Sequence, residues 1–397
     1  MLSITEGGYN DPGSMIFSRW RVAFFGPITP FLPTFWSFIG APLAVAQPGR
    51  YERSFCMRSH LYVVFGAIVA PVLLAACSMG SRAVPPTAGA MGPSLTSPAG
   101  ARLSHDKSGS LLYVTDWYPT GCNPSGQQCK QYGEVYVYDA RLNDPPPLAT
   151  ITDKVFTPTV ACLDSKGVLY VANSHAAPFP THGWISEYLP GQTKPSLIIR
   201  KGINVPYGCA IDANDNLLVS NAAGINITEY KPGQTEPTVV LNKKNGLFAP
   251  APIALDSSGN LYVINNDYVG HANVQVFAPG AKQPTATITS GAWWPQGIAV
   301  DANGTLYLSN FPTQSRRGAV TEFHPGQTAP FLTIIDDSWE PWGLTVDGKG
   351  RLFVSDSQNS QQSIIEFPPG SSSPSKKTIT GGLVLPAGIA HWPAVLP

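Results

Sequence analysis

From about residue 98 to residue 391 the chain is a succession of short apolar runs punctuated by Gly, Pro, Asn and Asp. Leu261-Tyr262-Val263-Ile264 is apolar at four successive positions, the pattern of a strand covered on both faces. Ile227-Thr228-Glu229-Tyr230, Thr238-Val239-Val240-Leu241, Thr285-Ala286-Thr287-Ile288 and Ala319-Val320-Thr321-Glu322-Phe323 read as further short strands bounded by turn residues.

These runs belong to one repeated unit. An Asp marks it at Asp106, Asp164, Asp212, Asp256, Asp301 and Asp347, in steps of 58, 48, 44, 45 and 46 residues. Gly follows three residues later in Asp164/Gly167, Asp256/Gly259, Asp301/Gly304 and Asp347/Gly350, and Asp215 takes that place in the third unit. An Asp that bonds the backbone two residues on, followed by a residue at positive φ, makes a tight hairpin turn. Tyr170, Leu218, Tyr262, Tyr307 or Phe353 comes next, and then Asn173, Asn221, Asn265, Asn310 or Asp356; Tyr113 and Asp116 match after one extra residue. Later in each unit Pro190-Gly191, Pro232-Gly233, Pro279-Gly280, Pro325-Gly326 and Pro369-Gly370 suit the centre of a type II turn. In the first unit Asp139 to Pro147 stands in for that turn. Four strands per unit and a period in the middle forties predict an all-β chain, a six-bladed β-propeller of four-stranded antiparallel blades over residues 98–397. Pro386-Ala387-Gly388-Ile389-Ala390-His391 repeats Pro295-Gln296-Gly297-Ile298-Ala299-Val300, with His391 falling where an Asp is due. This tail is expected to pack beside the first blade and help close the ring.

The repeats resemble NHL repeats and the wider group of six-bladed propellers that includes gluconolactonase-like enzymes and virginiamycin B lyase-like enzymes. The resemblance implies a fold more than an activity, because such propellers host unrelated functions. A gluconolactonase-like site implies a Glu, Asn and Asp metal set facing the channel. No such Glu is placed here, since Glu187, Glu229, Glu322 and Glu366 all sit in repeated third strands.

The N-terminal part reads differently. Residues 1–56 form a leader of doubtful status, open to three readings: a poor transmembrane segment, a signal peptide cut after Ala44-Val45-Ala46, or a stretch upstream of the true start. Residues 57–77 read as a signal peptide: Met57-Arg58-Ser59-His60 is a short basic head and Leu61 to Leu74 an apolar core, too short for a confident bilayer span. Leu74-Ala75-Ala76-Cys77 matches the lipobox of bacterial lipoproteins, which implies lipidation at Cys77 and a membrane-anchored protein of the cell envelope, facing periplasm or exterior. Residues 78–97, rich in Ala, Gly, Pro and Ser, read as a disordered tether. Cys122 and Cys129 flank one long loop and suit a local disulfide in an oxidising compartment. Cys162 and Cys209 lie two and three residues before their Asp markers, are expected to face differently, and read as buried small hydrophobes. Lys and Arg balance Asp and Glu at 25 each with no basic stripe, which argues against a nucleic-acid partner.

Strand order puts the Asp-x-x-Gly and Pro-Gly turns on one rim of the disc and the blade-to-blade and second-to-third-strand loops on the other. The first rim is monotonous. The second is varied, and varied loops on a rigid scaffold carry function. It is rich in aromatics: Trp117, Tyr118, Phe156, Tyr207, Phe248, Trp293, Trp294, Trp339 and Trp342, with Phe179, Tyr268 and Phe311 in the other loop set. Such residues suit stacking on a glycan or anchoring a protein, or they plug the gaps between blades. Arg316-Arg317 either bind an anionic group or form a solvated pair. Asp116, Asn173, Asn221, Asn265, Asn310 and Asp356 end the second strands; they are read as structural caps, with a Ca²⁺ or Mg²⁺ site at the channel mouth as the alternative. His175, His182 and His271 lie in varied loops and read as solvent-exposed loop histidines; the alternative is His271 with Asp267 as the acid–base pair that a virginiamycin B lyase-like mechanism implies. No cofactor is predicted. The leading expectation is a lipid-anchored module that binds or scaffolds a protein or carbohydrate; the competing one is a metal-dependent lyase- or lactonase-like enzyme.

Overall fold

The computed structural model describes residues 109–117, 133–174, 182–266, 272–313, 315–335, 339–357, 362–375 and 378–396. They form a six-bladed β-propeller of four-stranded antiparallel blades. The first blade contains β1 (Leu111–Asp116), β2 (Glu134–Asp139) and β3 (Ala149–Ile151). The second is β4 (Pro158–Leu163), β5 (Leu169–Asn173), β6 (Trp184–Tyr188) and β7 (Leu197–Ile199). The third is β8 (Pro206–Ile211), β9 (Leu217–Asn221), β10 (Asn226–Tyr230) and β11 (Thr238–Asn242). The fourth is β12 (Pro250–Leu255), β13 (Leu261–Asn266), β14 (Ala272–Phe277) and β15 (Ala286–Ile288). The fifth is β16 (Pro295–Val300), β17 (Leu306–Asn310), β18 (Ala319–Phe323) and β19 (Leu332–Ile335). The sixth is β20 (Pro341–Val346), β21 (Leu352–Asp356), β22 (Ser363–Phe367) and β23 (Thr378–Ile379).

The innermost strand of the first blade comes from the other end of the chain. β24 (Pro386–Trp392) pairs with β1 and packs between β4 and β20, so the ring closes. The register joins Leu111 to Trp392 and Val114 to Ile389. Trp392, not His391, therefore takes the place of the Asp marker. No hairpin leads from β24 into β1, so the turn-forming Asp has no task there. His391 instead lies within the buried run that Trp392 ends; it is 6% exposed, and its ring lies parallel to that of Phe353.

The turns form as their residues dictate. Asp164 Oδ1 accepts from the backbone N of Lys166 and Val168, Gly167 donates to the Asp164 carbonyl, and Gly167 has φ +81°. Asp215, at φ +62°, closes the equivalent turn of the third blade. In the Pro-Gly turns the residue after Gly donates to the residue before Pro, as in Gln192 to Leu189. Both turn sets share one rim: a Cβ built on Gly259 would meet Pro279 Cγ at 3.4 Å.

The core consists of six apolar clusters, one at each blade–blade interface. This is why the second strands are apolar at successive positions: one face packs on the preceding blade and the other on the next. Each fully buried Leu, Val or Ile contributes roughly 1.5–3 kcal/mol. Toward the axis the strands converge until backbone meets backbone. A Cβ on Gly343 would lie 2.2 Å from the Ala387 carbonyl oxygen, so only glycine fits there.

Cys162 and Cys209 form a disulfide, with Cα atoms 6.1 Å apart, that links β4 to β8 across two blades. This corrects the reading of both as inert hydrophobes. Adjacent blades meet through opposite faces, so the two cysteines meet because they point to opposite faces of their strands. Cys122 and Cys129, like Cys77, lie outside the described residues. The link encloses 47 residues of sequence separation, for which chain-entropy arguments give about 4 kcal/mol of stabilisation. Replacing both cysteines by Ser is expected to lower unfolding stability by up to that amount, read by denaturant titration. Identical midpoints for the two proteins would contradict a formed link.

Candidate functional site

The varied rim is built on a repeated side-chain tie. Asn173, Asn221, Asn265 and Asn310 are fully buried, and each side-chain oxygen accepts from the backbone that enters the same blade. The donors are Phe156 N at 2.7 Å, Asn204 N at 2.9 Å, Phe248 N at 3.0 Å and Trp293 N at 3.0 Å. Asp356 accepts from Glu340 N at 3.0 Å. Asp116 accepts from Val384 N and Leu385 N at 2.7 and 2.9 Å, pinning the entry to β24. The same Asn amides donate inward: Asn265 to the Gly246 carbonyl at 3.1 Å, Asn310 to Gly291 at 3.0 Å. These oxygens are thus engaged in holding the blade-to-blade links, which is the capping role expected of them.

A second tie went unread in the sequence. The residue before the Asn or Asp is Ser220, Ser309 or Ser355 in three blades and Thr115 in the first. Ser220 Oγ donates to the Ala251 carbonyl and Ser355 Oγ to Ala387, each at 2.6 Å and each in the next blade. Ser309 Oγ donates in the same way to the Trp342 carbonyl. The recurrent Ser-Asn pair was the available signal.

On this frame stands a continuous aromatic array. Trp117 meets Trp342 edge-on with ring centroids 5.0 Å apart, Trp342 meets Phe311 at 5.4 Å, and Phe311 meets Trp294 at 5.5 Å. The four rings come from the first, sixth and fifth blades, which are neighbours in the ring. Each is positioned by the ties: Trp117 follows Asp116, Phe311 follows Asn310, and the Trp342 carbonyl is held by Ser309. Phe311 N also donates to the Trp294 carbonyl at 2.9 Å. Trp294 is 42% exposed and the other three are partly buried. Beside them the Arg316 guanidinium lies 5.2 Å over the Trp293 ring, within cation–π range. Arg317 is exposed next to it. The indole N–H groups of Trp117 and Trp293 are buried without an acceptor among the described residues.

The remaining candidates separate. Trp339 is 7% exposed and edge-on to Phe367 at 5.3 Å, so it is core. Tyr207 lines the central channel instead of joining the array. Tyr118, Phe179, Tyr268, His175, Asp267 and His271 lie outside the described residues. Glu340 was not singled out in the sequence; burial, with the Asp356 charge adding, raises its pKa above the usual carboxylate range.

The central channel holds a cavity of about 150 Å³. Its described lining contains no Asp, Glu, Lys or Arg; the polar groups are Thr159, Tyr207, Gln296, Thr345 and His391 with the disulfide. Burial lowers the His391 pKa, favouring the neutral ring, and both ring nitrogens are engaged, by Ser110 Oγ at 2.8 Å and the Pro393 carbonyl at 3.0 Å. Among the described residues no group of three or more His, Cys, Asp or Glu converges as a metal site would require.

No family model and no curated protein matches the chain. Solved structures do. A chain of a nidogen/laminin complex superposes with a TM-score of 0.54 at 17% identity, over 71% of this chain and 98% of that one. A chain of Kuenenia stuttgartiensis hydrazine synthase gives 0.45 at 14% identity, over 59% of this chain and 70% of that one. At this identity the first of these speaks to the fold.

Asn265 holds two backbone donors, Phe248 N and Ala249 N, and one acceptor, Gly246 O. Asn265→Ala removes the acceptor of both backbone donors, while the Gly246 carbonyl keeps Gln275 Nε2 at 3.2 Å, and is expected to cost on the order of 1–3 kcal/mol. The melting temperature should fall while added Ca²⁺ or Mg²⁺ leaves wild type and variant equally unmoved. A divalent-cation stabilisation present in wild type and absent in the variant would instead make Asn265 a metal ligand.

Proposed function

We propose that this propeller is a binding module of the NHL-repeat type that presents its varied rim to a protein or carbohydrate. The observation that carries the reading is the aromatic array Trp117–Trp342–Phe311–Trp294, continuous over three blades and flanked by Arg316. Rings fixed by backbone ties lose little entropy on binding, and aromatics and Arg dominate interface energetics. The superposed propeller of the nidogen/laminin complex comes from a protein–protein assembly, which supports a protein partner. The described lining of the channel carries no Asp, Glu, Lys or Arg, which gives an acid–base or metal-dependent enzyme less support than a binding module.

The module belongs, on this reading, to the cell envelope, tethered through a lipid on Cys77. The lipobox Leu74-Ala75-Ala76-Cys77 motivates the anchor, and the Cys162–Cys209 disulfide fits an oxidising compartment.

Trp294→Ala and Arg316→Ala, made in the purified chain, are expected to weaken retention on a glycan array or on immobilised envelope proteins by about tenfold or more, with melting temperatures close to wild type. Undiminished retention in both variants would remove the array from the binding surface. Cys77→Ala is expected to shift the protein from membrane to soluble fractions on cell fractionation; unchanged sedimentation with membranes would rule out the lipid.

A further inference from the structure

Each blade–blade interface receives one side chain from the second strand of the preceding blade, at the place after the Asp turn. It is Tyr113, Tyr170, Tyr262, Tyr307 or Phe353 at five interfaces and Leu218 between the third and fourth blades. At that interface a cavity of about 410 Å³ opens on the uniform rim. The equivalent space between the fourth and fifth blades is about 40 Å³, where Tyr262 keeps its ring and His324 stands in the place of Ala278. Two large side chains are thus missing from one interface. The resulting volume lies in the range of small-molecule sites.

Its walls are largely apolar, from Leu218, Val240, Leu241, Leu261 and Phe277, with Asn214, Ser257 and Ser258 at the turns and two carboxylates, Glu229 and Asp212. Glu229 pairs across the strands with Leu218 and lines the same cavity. In the second blade the matching Glu187 accepts from Ser196 Oγ at 2.7 Å, and in the sixth Glu366 accepts from Arg351 at 3.1 Å. In the fifth blade Glu322 lies beside Tyr307, and burial pushes it up to about 7. Glu229 is only half-buried, and among the described residues none donates to its carboxylate. Asp212 also borders the cavity, but its oxygens already accept from Asn214 N, Asn216 N and Asn216 Nδ2, each at 2.8 Å. The cavity therefore offers apolar walls and one carboxylate whose acceptor capacity is unused.

We propose that the space between the third and fourth blades binds a small organic amine, its ammonium on Glu229 and its apolar body against Leu218, Leu261 and Phe277. A cation satisfies a partly desolvated carboxylate; a neutral molecule of the same shape gains only the apolar contact. The site is on the opposite rim from the aromatic array and stands independently of it.

Benzylamine and benzyl alcohol, titrated calorimetrically into the full chain at pH 7 and low salt, are the probes. Saturable benzylamine binding is expected, about tenfold tighter than that of the alcohol. Glu229→Gln should abolish that preference without changing the melting temperature. Leu218→Tyr, which restores the ring found at other interfaces, should remove binding of both probes. Equal affinities in wild type, absence of saturable binding, or a preference that survives Glu229→Gln would each overturn the proposal and leave a packing void. The Glu229→Gln result decides the matter by itself should Leu218→Tyr fail to fold.

Discussion

The pairing of β24 with β1 is the contact on which the rest depends. It joins residues some 280 positions apart, Leu111 with Trp392 and Val114 with Ile389. A propeller has no central core that can form before closure; its core is divided among interfaces, and each needs both neighbours. Without β24 the clusters on either side of the first blade lose Ile389, Ala390 and Trp392. The polar ties Ser355 to Ala387 and Thr115 to Gly388 disappear with them. So does the anchoring of Val384 and Leu385 by Asp116, and with it the setting of Trp117. Closure by non-local pairing carries a large loop entropy, offset only when all six interfaces are in place.

The ring also explains why one rim is uniform and the other varied. Asp-x-x-Gly and Pro-Gly turns are local hydrogen-bonded units that pack on each other within a blade. The opposite rim is held from below by buried Asn and Ser side chains that bond backbone and demand little of the side chains above them. Trp293, Trp294 and Trp342 sit on links whose backbone is pinned by Asn310 and Ser309. The scaffold therefore tolerates chemical variety there while keeping it rigid, which is what a recognition surface requires. Departures from the repeat have the converse meaning. Where Leu218 replaces an aromatic ring, the packing opens, and among the described residues none donates to the Glu229 carboxylate.

Local residue chemistry was legible in the sequence. The Asp and Gly of each hairpin, the Pro-Gly turns, the strand count and the blade number follow from interactions within about ten residues, which leave a periodic trace. The Asn series was legible as a periodic feature, and its side-chain oxygens accept from the backbone that enters each blade. The tail as a closing element was visible from its repeat, although Trp392 and not His391 took the register of the missing Asp.

What tertiary structure alone decided involves contacts between different repeats. Cys162 and Cys209 were separated by strand parity within a sheet, whereas facing blades join opposite parities into a disulfide. Trp117, Trp342, Phe311 and Trp294 span more than two hundred residues and become one surface only when the first blade closes against the sixth. Trp339, equally aromatic and three residues from Trp342, is turned into the core instead. Periodicity names the unit and its turns, because these are short-range; which side chains meet across units depends on the angle between blades, and no one-dimensional pattern contains that angle.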